Sequence, residues 1–407
     1  MRTVDAAGLA IGDDQPTRIM GVLNVSKESP YDPSVFDEPG EAAAYVDEQL
    51  IEEGADIVDV GLESANKKFE VLDAEGELER LDTAIETMES VSGDAVFSIE
   101  TRYHEVAEAA LDAGFDMVND ICGFADPEMP AVCRDYDVAV AKMASPPDLE
   151  RPGAIEDVDD IYDALTQNGL TDKTIVDPAF GGWSEAKTVD DDRETFDRLR
   201  EFRGYGLPIL VSINRKNFLR SLAGRDTDEA LPVSLAATAM AIERGAHVVR
   251  THDVAETVDA ARIGDRFTPD RVRDTATGVE ELDVQTPGDA SRHLDRVGAD
   301  ADPETAVTRV LEFTDLTESD HDELTSLATT VPGVEIASGE DGTLVFGTVA
   351  ALRAASRESD GDLSARFTAA LGGPNDFHRQ IAKRKLIPNP RVPPDGSPGV
   401  TLGRGTL

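Results

Sequence analysis

Eight short β-branched runs, each followed by a stretch with helical spacing, constrain this chain more than any other feature. The runs are Ile19 to Val25, Ala55 to Gly61, Ala95 to Ile99, Phe115 to Asn119, Val138 to Lys142, Thr174 to Asp177, Ile209 to Ile213 and His247 to Thr251. Between them lie segments such as EAAAYVDEQLIEEG, HEVAEAALDAG and ETFDRLREFRGYG, with apolar residues at helical spacing and glycine at the C-terminal end. Strands that alternate with helices pair in parallel, because each crossover helix carries the chain back to the start of the next strand. Eight such units in roughly 250 residues predict an α/β fold of the (β/α)8 TIM-barrel type. The residues before Arg18 would form a hairpin closing the barrel bottom.

From about Pro269 the alternation stops. We therefore expect a barrel over 1–268, a small α+β module over 269–386 and an extended Pro/Gly-rich tail over 387–407. In the module, TATGVEELDVQTPGDA reads as a linker and ADPETAVTRVLEF as a helix. A second helix is expected around Glu318 to Ala328, a strand pair in GVEIASGEDGTLVFG, and a third helix near Thr348 to Ser356.

Charge narrows the function. Against 82 Asp and Glu stand 38 Lys and Arg, a formal charge of -44 over 407 residues, with the acids spread along the whole chain. Such a surface repels polyphosphate backbones and anionic membranes, which excludes nucleic acid and membrane as partners. Self-repulsion on this scale is tolerable where the Debye length falls to about 3 Å, near 1 M salt, so the pattern points to a protein of a salt-accumulating organism. Cys122 and Cys133 are too few for a disulfide framework, and no apolar run reaches the length of a membrane span, so a cytoplasmic location is expected.

In a barrel of this type the chemistry sits where the strands end. The polar residues there are Asn24; Asp59 and Glu63; Glu100 and Thr101; Asn119 and Asp120; Asp177; Asn214, Arg215 and Lys216; and Arg250, His252 and Asp253. Each alone could be a helix cap. Together, Lys216, Arg250 and His252 would make a positive pocket after strands seven and eight, suited to phosphate, while Glu100, Asn119 and Asp177 could read the donor-rich edge of a heterocycle.

These runs resemble dihydropteroate synthases of the pterin-binding barrel superfamily. The resemblance rests on MGVLNVS (20–26), DIVDVGLES (56–64), FSIETRYHEVAEAALDAG (97–114), MVNDICGF (117–124), VDPAFG (176–181), LPILVSINRKNFL (207–219) and GAHVVRTHDVAET (245–257), in that order. It implies condensation of 6-hydroxymethyl-7,8-dihydropterin diphosphate with 4-aminobenzoate, with loss of diphosphate. By the same resemblance Glu100, Asn119 and Asp177 bind the pterin, and Lys216 touches pterin and acceptor. Asn24, Arg250 and His252 take the diphosphate, with Mg2+ near Asn24. A homodimer is expected. Two other readings stay open: a pterin-dependent methyltransferase, and a pterin-binding protein without catalysis.

The chain departs from the family pattern at several points. Glu100 stands where Asp is usual, ESANKKF replaces ESTRPG and so places Ala65, Asn66 and Lys67 in the second loop, NVSKESPYDPS replaces a pattern like NVTPDSFSDGG, and AKM (141–143) replaces MHM. Beyond the barrel, His293, His321 and His378 read as structural, and Arg379, Lys383, Arg384 and Lys385 form a local basic run.

The charge leads to a direct test. Circular dichroism should show loss of structure below about 0.5 M salt and its return on adding KCl, since screening offsets the repulsion among the acids. An unchanged spectrum at low salt would refute this.

Overall fold

The computed structural model describes residues 1–25, 34–36, 38–63, 71–149, 153, 155–181, 187–274, 276–340 and 342–372. They divide into two compact units: 1–199 with 206–270, and 200–205 with 271–372.

The first unit opens with an antiparallel hairpin, β1 (Val4–Ala6) and β2 (Leu9–Ile11). Eight strands follow: β3 (Arg18–Asn24), β4 (Ile57–Gly61), β5 (Val96–Thr101), β6 (Met117–Asp120), β7 (Ala139–Met143), β8 (Thr174–Asp177), β9 (Leu210–Val211) and β10 (Val248–Thr251). All pair in parallel in the order β8-β7-β6-β5-β4-β3-β10-β9, and a bridge from Val176 to Ile209 closes the ring. The helices are α1 (Pro39–Tyr45), α2 (Ala74–Ser90), α3 (His104–Asp112), α4 (Met129–Asp135), α5 (Val158–Thr166), α6 (Val189–Asp197), α7 (Asn217–Ala223), α8 (Leu231–Glu243) and α9 (Val254–Phe267). This is the expected TIM barrel.

Its floor is set by the two-residue period of the strands. Met20, Ile57, Val96, Met117, Ala139, Ile175, Leu210 and Val248, one from each strand, pack with Val4, Ala6 and Ile11 of the hairpin in one buried cluster. The hairpin therefore plugs the barrel bottom with apolar side chains, as its sequence suggests.

The second unit is built on an antiparallel sheet. A short pair, β11 (Arg273–Asp274) and β12 (Val279–Glu280), precedes α10 (Pro287–Val297), which starts with a capping box between Thr286 and Asp289. The linker reading of 275–290 thus missed strand β12 and a helix start. The sheet has the order β13 (Thr308–Phe313), β15 (Thr343–Thr348), β14 (Val334–Ser338). The helix expected over 301–313 is instead a 3-10 turn, Pro303–Ala306, and strand β13. Its burial alternates residue by residue up to buried Phe313, a period that a helix could not satisfy. Helices α11 (Glu318–Thr330), α12 (Val349–Glu358) and α13 (Gly361–Leu371) complete a core around Leu324, Val345, Leu352 and Phe367. Residues 200–205 group with this unit through ion pairs: Arg200 to Asp283 at 3.0 Å and Glu201 to Arg292 at 3.3 Å. Residues 373–407, with the basic run, His378 and the tail, lie outside the described residues. Among the described residues no helix is long and apolar enough to cross a membrane.

Lys142 follows the same parity. Ala141 belongs to the barrel floor cluster, so Lys142 points the opposite way, where its ammonium donates to the carbonyls of Leu165 (3.0 Å), Gln167 and Gly169 (2.8 Å) at the end of α5. Burial lowers its pKa to about 8. Lys142→Met keeps the volume but leaves these carbonyls without their donor, and should cost about 1–3 kcal/mol in urea unfolding in molar KCl. Because the unfolded chain holds this proton up to about pH 10.5 and the folded chain only to about 8, wild-type stability should gain on the variant as pH rises through that window. A gap that is constant or narrows would contradict the burial of the charge.

Candidate active site

The period that seats an apolar residue on the floor places a polar one two residues further up the same face. Ile57 is followed by Asp59, Met117 by Asn119, Ile175 by Asp177, and Val248 by Arg250; Glu100 lies four beyond Val96. Strand register aligns Asn24 with Gly61, Gly61 with Glu100, and Glu100 with Asn119 across four neighbouring strands. The side chains expected to bind a ligand therefore meet in one ring at the mouth.

Arg250 stands at its centre. Its Nε donates to Asp59 Oδ2 at 2.7 Å and its Nη2 to Glu100 Oε2 at 2.6 Å. Asn119 Nδ2 donates to the same Asp59 oxygen at 3.0 Å, which leaves Asn119 Oδ1 as the acceptor for another group. Asp59 is fully buried, and its Oδ1 has no partner among the described residues. Burial raises the pKa of Glu100, Arg250 opposes that shift, and the neighbouring Asp59 adds to it. Sequence reasoning names Asp59 only as one strand-end acid. Its parity with Asn119, Asp177 and Arg250 is the signal that could have placed it at the centre of the site.

On the other side of the mouth, Asp177 accepts the Ala179 N–H at 2.8 Å, and burial pushes its carboxyl up to about 6. Lys216 precedes α7 and folds over Gly181, where a Cβ would lie 2.8 Å from Lys216 Cδ. Gly181 also has a φ of +90°, so both backbone and lysine require glycine there. Burial and then the charge of Arg250 lower the pKa of Lys216, while Asp177 supports its proton.

Asn24 and His252 meet through Ser34. Asn24 Nδ2 donates to Ser34 Oγ at 3.0 Å, and Ser34 Oγ lies 3.2 Å from His252 Nδ1. Burial, reinforced by Arg250, pushes His252 down to about 3, so the ring is neutral. With Arg250 bound to two carboxylates and His252 neutral, the positive pocket expected from Lys216, Arg250 and His252 is largely offset from within. Asn214 and Arg215 turn away to Asp253, with Arg215 making a two-pronged contact at 2.8 Å on each oxygen; they brace the strand end.

Asn24 suits a hard cation. Mg2+ prefers oxygen ligands and takes only one or two from protein beside substrate phosphates. With Nδ2 donating to Ser34 Oγ, Asn24 keeps Oδ1 as its oxygen ligand. A second grouping, His104, Glu105 and Asp126, brings its donor atoms within 4.8 Å of one another. Asp126 Oδ2 already accepts both the backbone N–H and the ring of His104, so this group reads as bracing for the start of α3. The altered residues Ala65, Asn66 and Lys67, and the first loop over 26–33, lie outside the described residues.

The pterin binding enzyme family matches residues 20–252. A probable bifunctional folylpolyglutamate synthase/dihydropteroate synthase of Halobacterium salinarum is 35% identical over 265 residues, covering 62% of this chain and 32% of its own length. The chain thus spans about a third of that relative. A dihydropteroate synthase of Clostridium beijerinckii is 32% identical over 256 residues, covering 61% of this chain and 93% of the relative. Among solved structures, a dihydropteroate synthase of Xanthomonas albilineans with 4-aminobenzoic acid superposes with a TM-score of 0.54 at 30% identity, over 64% of this chain and 96% of that one. The family match covers more than half of the chain and runs through the mouth from Asn24 to His252, so the chain belongs to the pterin-binding enzyme family, on its dihydropteroate synthase branch.

Proposed function

We propose that the chain is a transferase of folate biosynthesis, a dihydropteroate synthase that joins 6-hydroxymethyl-7,8-dihydropterin diphosphate to 4-aminobenzoate. The observation that carries this reading is the ring of Asp59, Glu100, Asn119, Asp177, Lys216 and Arg250 at one barrel mouth. Relatives with the same barrel support it: that of Xanthomonas albilineans was solved with 4-aminobenzoic acid and also with 7,8-dihydropteroate. They favour the synthase over a methyltransferase or an inert pterin binder.

In the reaction the C–O bond to diphosphate breaks, the arylamine nitrogen forms a C–N bond to the same carbon, and the amine gives up a proton. Carboxylates accept N–H donors of the pterin edge, a role for Asp177 and Glu100, while Asn119 offers Oδ1. Lys216 lies beside Asp177 in charge if not in direct contact, where it can meet both the ring and the incoming acceptor. Neutral His252 and the Asn24 amide serve the departing diphosphate: a hydroxyl has one proton, and Ser34, accepting from Asn24, can give its own to His252 Nδ1, leaving Nε2–H as donor. Mg2+, held by Asn24 Oδ1 and phosphate oxygens, would neutralise charge on the leaving group. Positioned charge, with no covalent enzyme nucleophile, carries the rate. A homodimer in the cytoplasm completes the reading.

Purified in molar KCl, the protein should form dihydropteroate from these two substrates with release of diphosphate; no product would overturn the reading. Lys216→Ala should lower kcat/KM by about 10²–10³ with the fold intact by circular dichroism.

His252→Ala should weaken the pterin diphosphate and spare an unphosphorylated pterin in calorimetry. Arg250→Ala should weaken both, because it leaves Asp59 and Glu100 without their counter-charge. Equal losses for the two ligands in His252→Ala would refute its assignment to the diphosphate.

The pH profile has a defined sign. Asp177 accepts only when ionised, so pterin affinity should rise as pH climbs through about 6 and then level off. Asp177→Asn should abolish that limb.

A further inference from the structure

Beside the mouth lies a buried charge network that the reaction as described does not use. Arg102, directly after β5, is 1% exposed, and its Nη1 donates to Glu63 Oε2 at 2.7 Å while its Nη2 donates to the Leu72 carbonyl at 2.7 Å. Glu63 returns to the same place, since its Oε1 accepts the Leu72 N–H at 3.1 Å. The Tyr103 hydroxyl also donates to the Leu72 carbonyl, at 2.8 Å, and the Arg102 guanidinium lies 4.8 Å from the Tyr103 ring centroid. Glu63 and Leu72 are thus held side by side across eight intervening residues.

The network continues toward the ring at the mouth. Arg102 Nη1 is 4.0 Å from Glu77 Oε1, and Glu77 Oε2 accepts the Thr101 hydroxyl at 2.5 Å. Thr101 follows Glu100 directly in β5. Burial drives Glu77 up to about 7, against the pull of the Thr101 hydroxyl and Arg102. A fully buried guanidinium is a costly way to hold a chain segment unless its position matters, since desolvation cancels much of what its ion pairs contribute.

We infer that Arg102 is a positioning residue, which pins Glu63 and Leu72, the two ends of the segment after β4, to the end of β5 that carries Glu100. One planar fork reaches a carboxylate and a carbonyl at once, which fixes distance and angle together; a lysine in its place could serve only one of them well. Gly61, two residues before Glu63, lies where a Cβ would be 3.3 Å from Asn24 Oδ1 and 3.6 Å from Glu100 Oε1, so displacement of this chain end reaches the mouth directly.

The test has two arms, and only the second rests on the synthase reading. In the first, hydrogen exchange in molar KCl compares wild type, Arg102→Met and Arg102→Lys. The Leu72 amide should exchange at least about tenfold faster in Arg102→Met, with amides of α3 and the barrel floor unchanged, and Arg102→Lys should fall between. In the second, Arg102→Met should lower kcat for condensation by about tenfold or more while the Kd for an unphosphorylated pterin changes by less than about threefold, with partial recovery in Arg102→Lys. Should Arg102→Met fail to fold, Glu63→Gln removes the same ion pair and should show both effects in smaller measure. Unchanged Leu72 exchange in the folded variant overturns the clamp. Faster exchange with unaltered turnover overturns its positioning role, and if the wild type makes no dihydropteroate, the exchange arm still decides on the clamp.

Discussion

A guanidinium shared between two carboxylates ties the mouth of this barrel together. Asp59 is completely buried and Glu100 mostly so, and a cation between them offsets the cost of enclosing two acids side by side. Arg250 supplies it from the opposite direction in the ring, since β10 pairs with β3 and β3 with β4. Its grip on Asp59 also fixes Asn119 through the shared oxygen.

Overall charge and local charge follow different rules here. The chain carries -44, yet the ionisation of its enclosed groups is set by burial: Asp177 is pushed to about 6, His252 to about 3 and Lys142 to about 8. Screening by salt acts on exposed acids and hardly at all on these enclosed groups. A strongly acidic exterior is therefore compatible with a site for an anion, provided that the anion meets Lys216 and neutral donors at close range.

Departures from the family pattern also sort by geometry. Lys142 in AKM points away from the mouth and caps α5, so that change is one of support. Glu100 reaches Arg250 at 2.6 Å with its longer side chain. In ETRY the arginine falls at 102, where it clamps Glu63 and Leu72, and the tyrosine at 103 joins it on the same carbonyl.

Periodicity alone determined the barrel, its eight strands, the hairpin at its bottom and the strand-end residues, because parity along a strand and glycine after a helix are written locally. The motifs determined the family. Contacts between distant segments decided the rest. That Asp59 is central, that Ser34 beside Asn24 reaches His252 across 218 residues, and that Arg102 spans Glu63 and Leu72 depend on which strands become neighbours once the ring closes. Residues 308–313 show the same limit: their apolar spacing suits a helix or a strand, and pairing with β15 decides for the strand. Charge state belongs to the tertiary level too, since the same His, Asp or Lys ionises differently only after neighbours have removed its water.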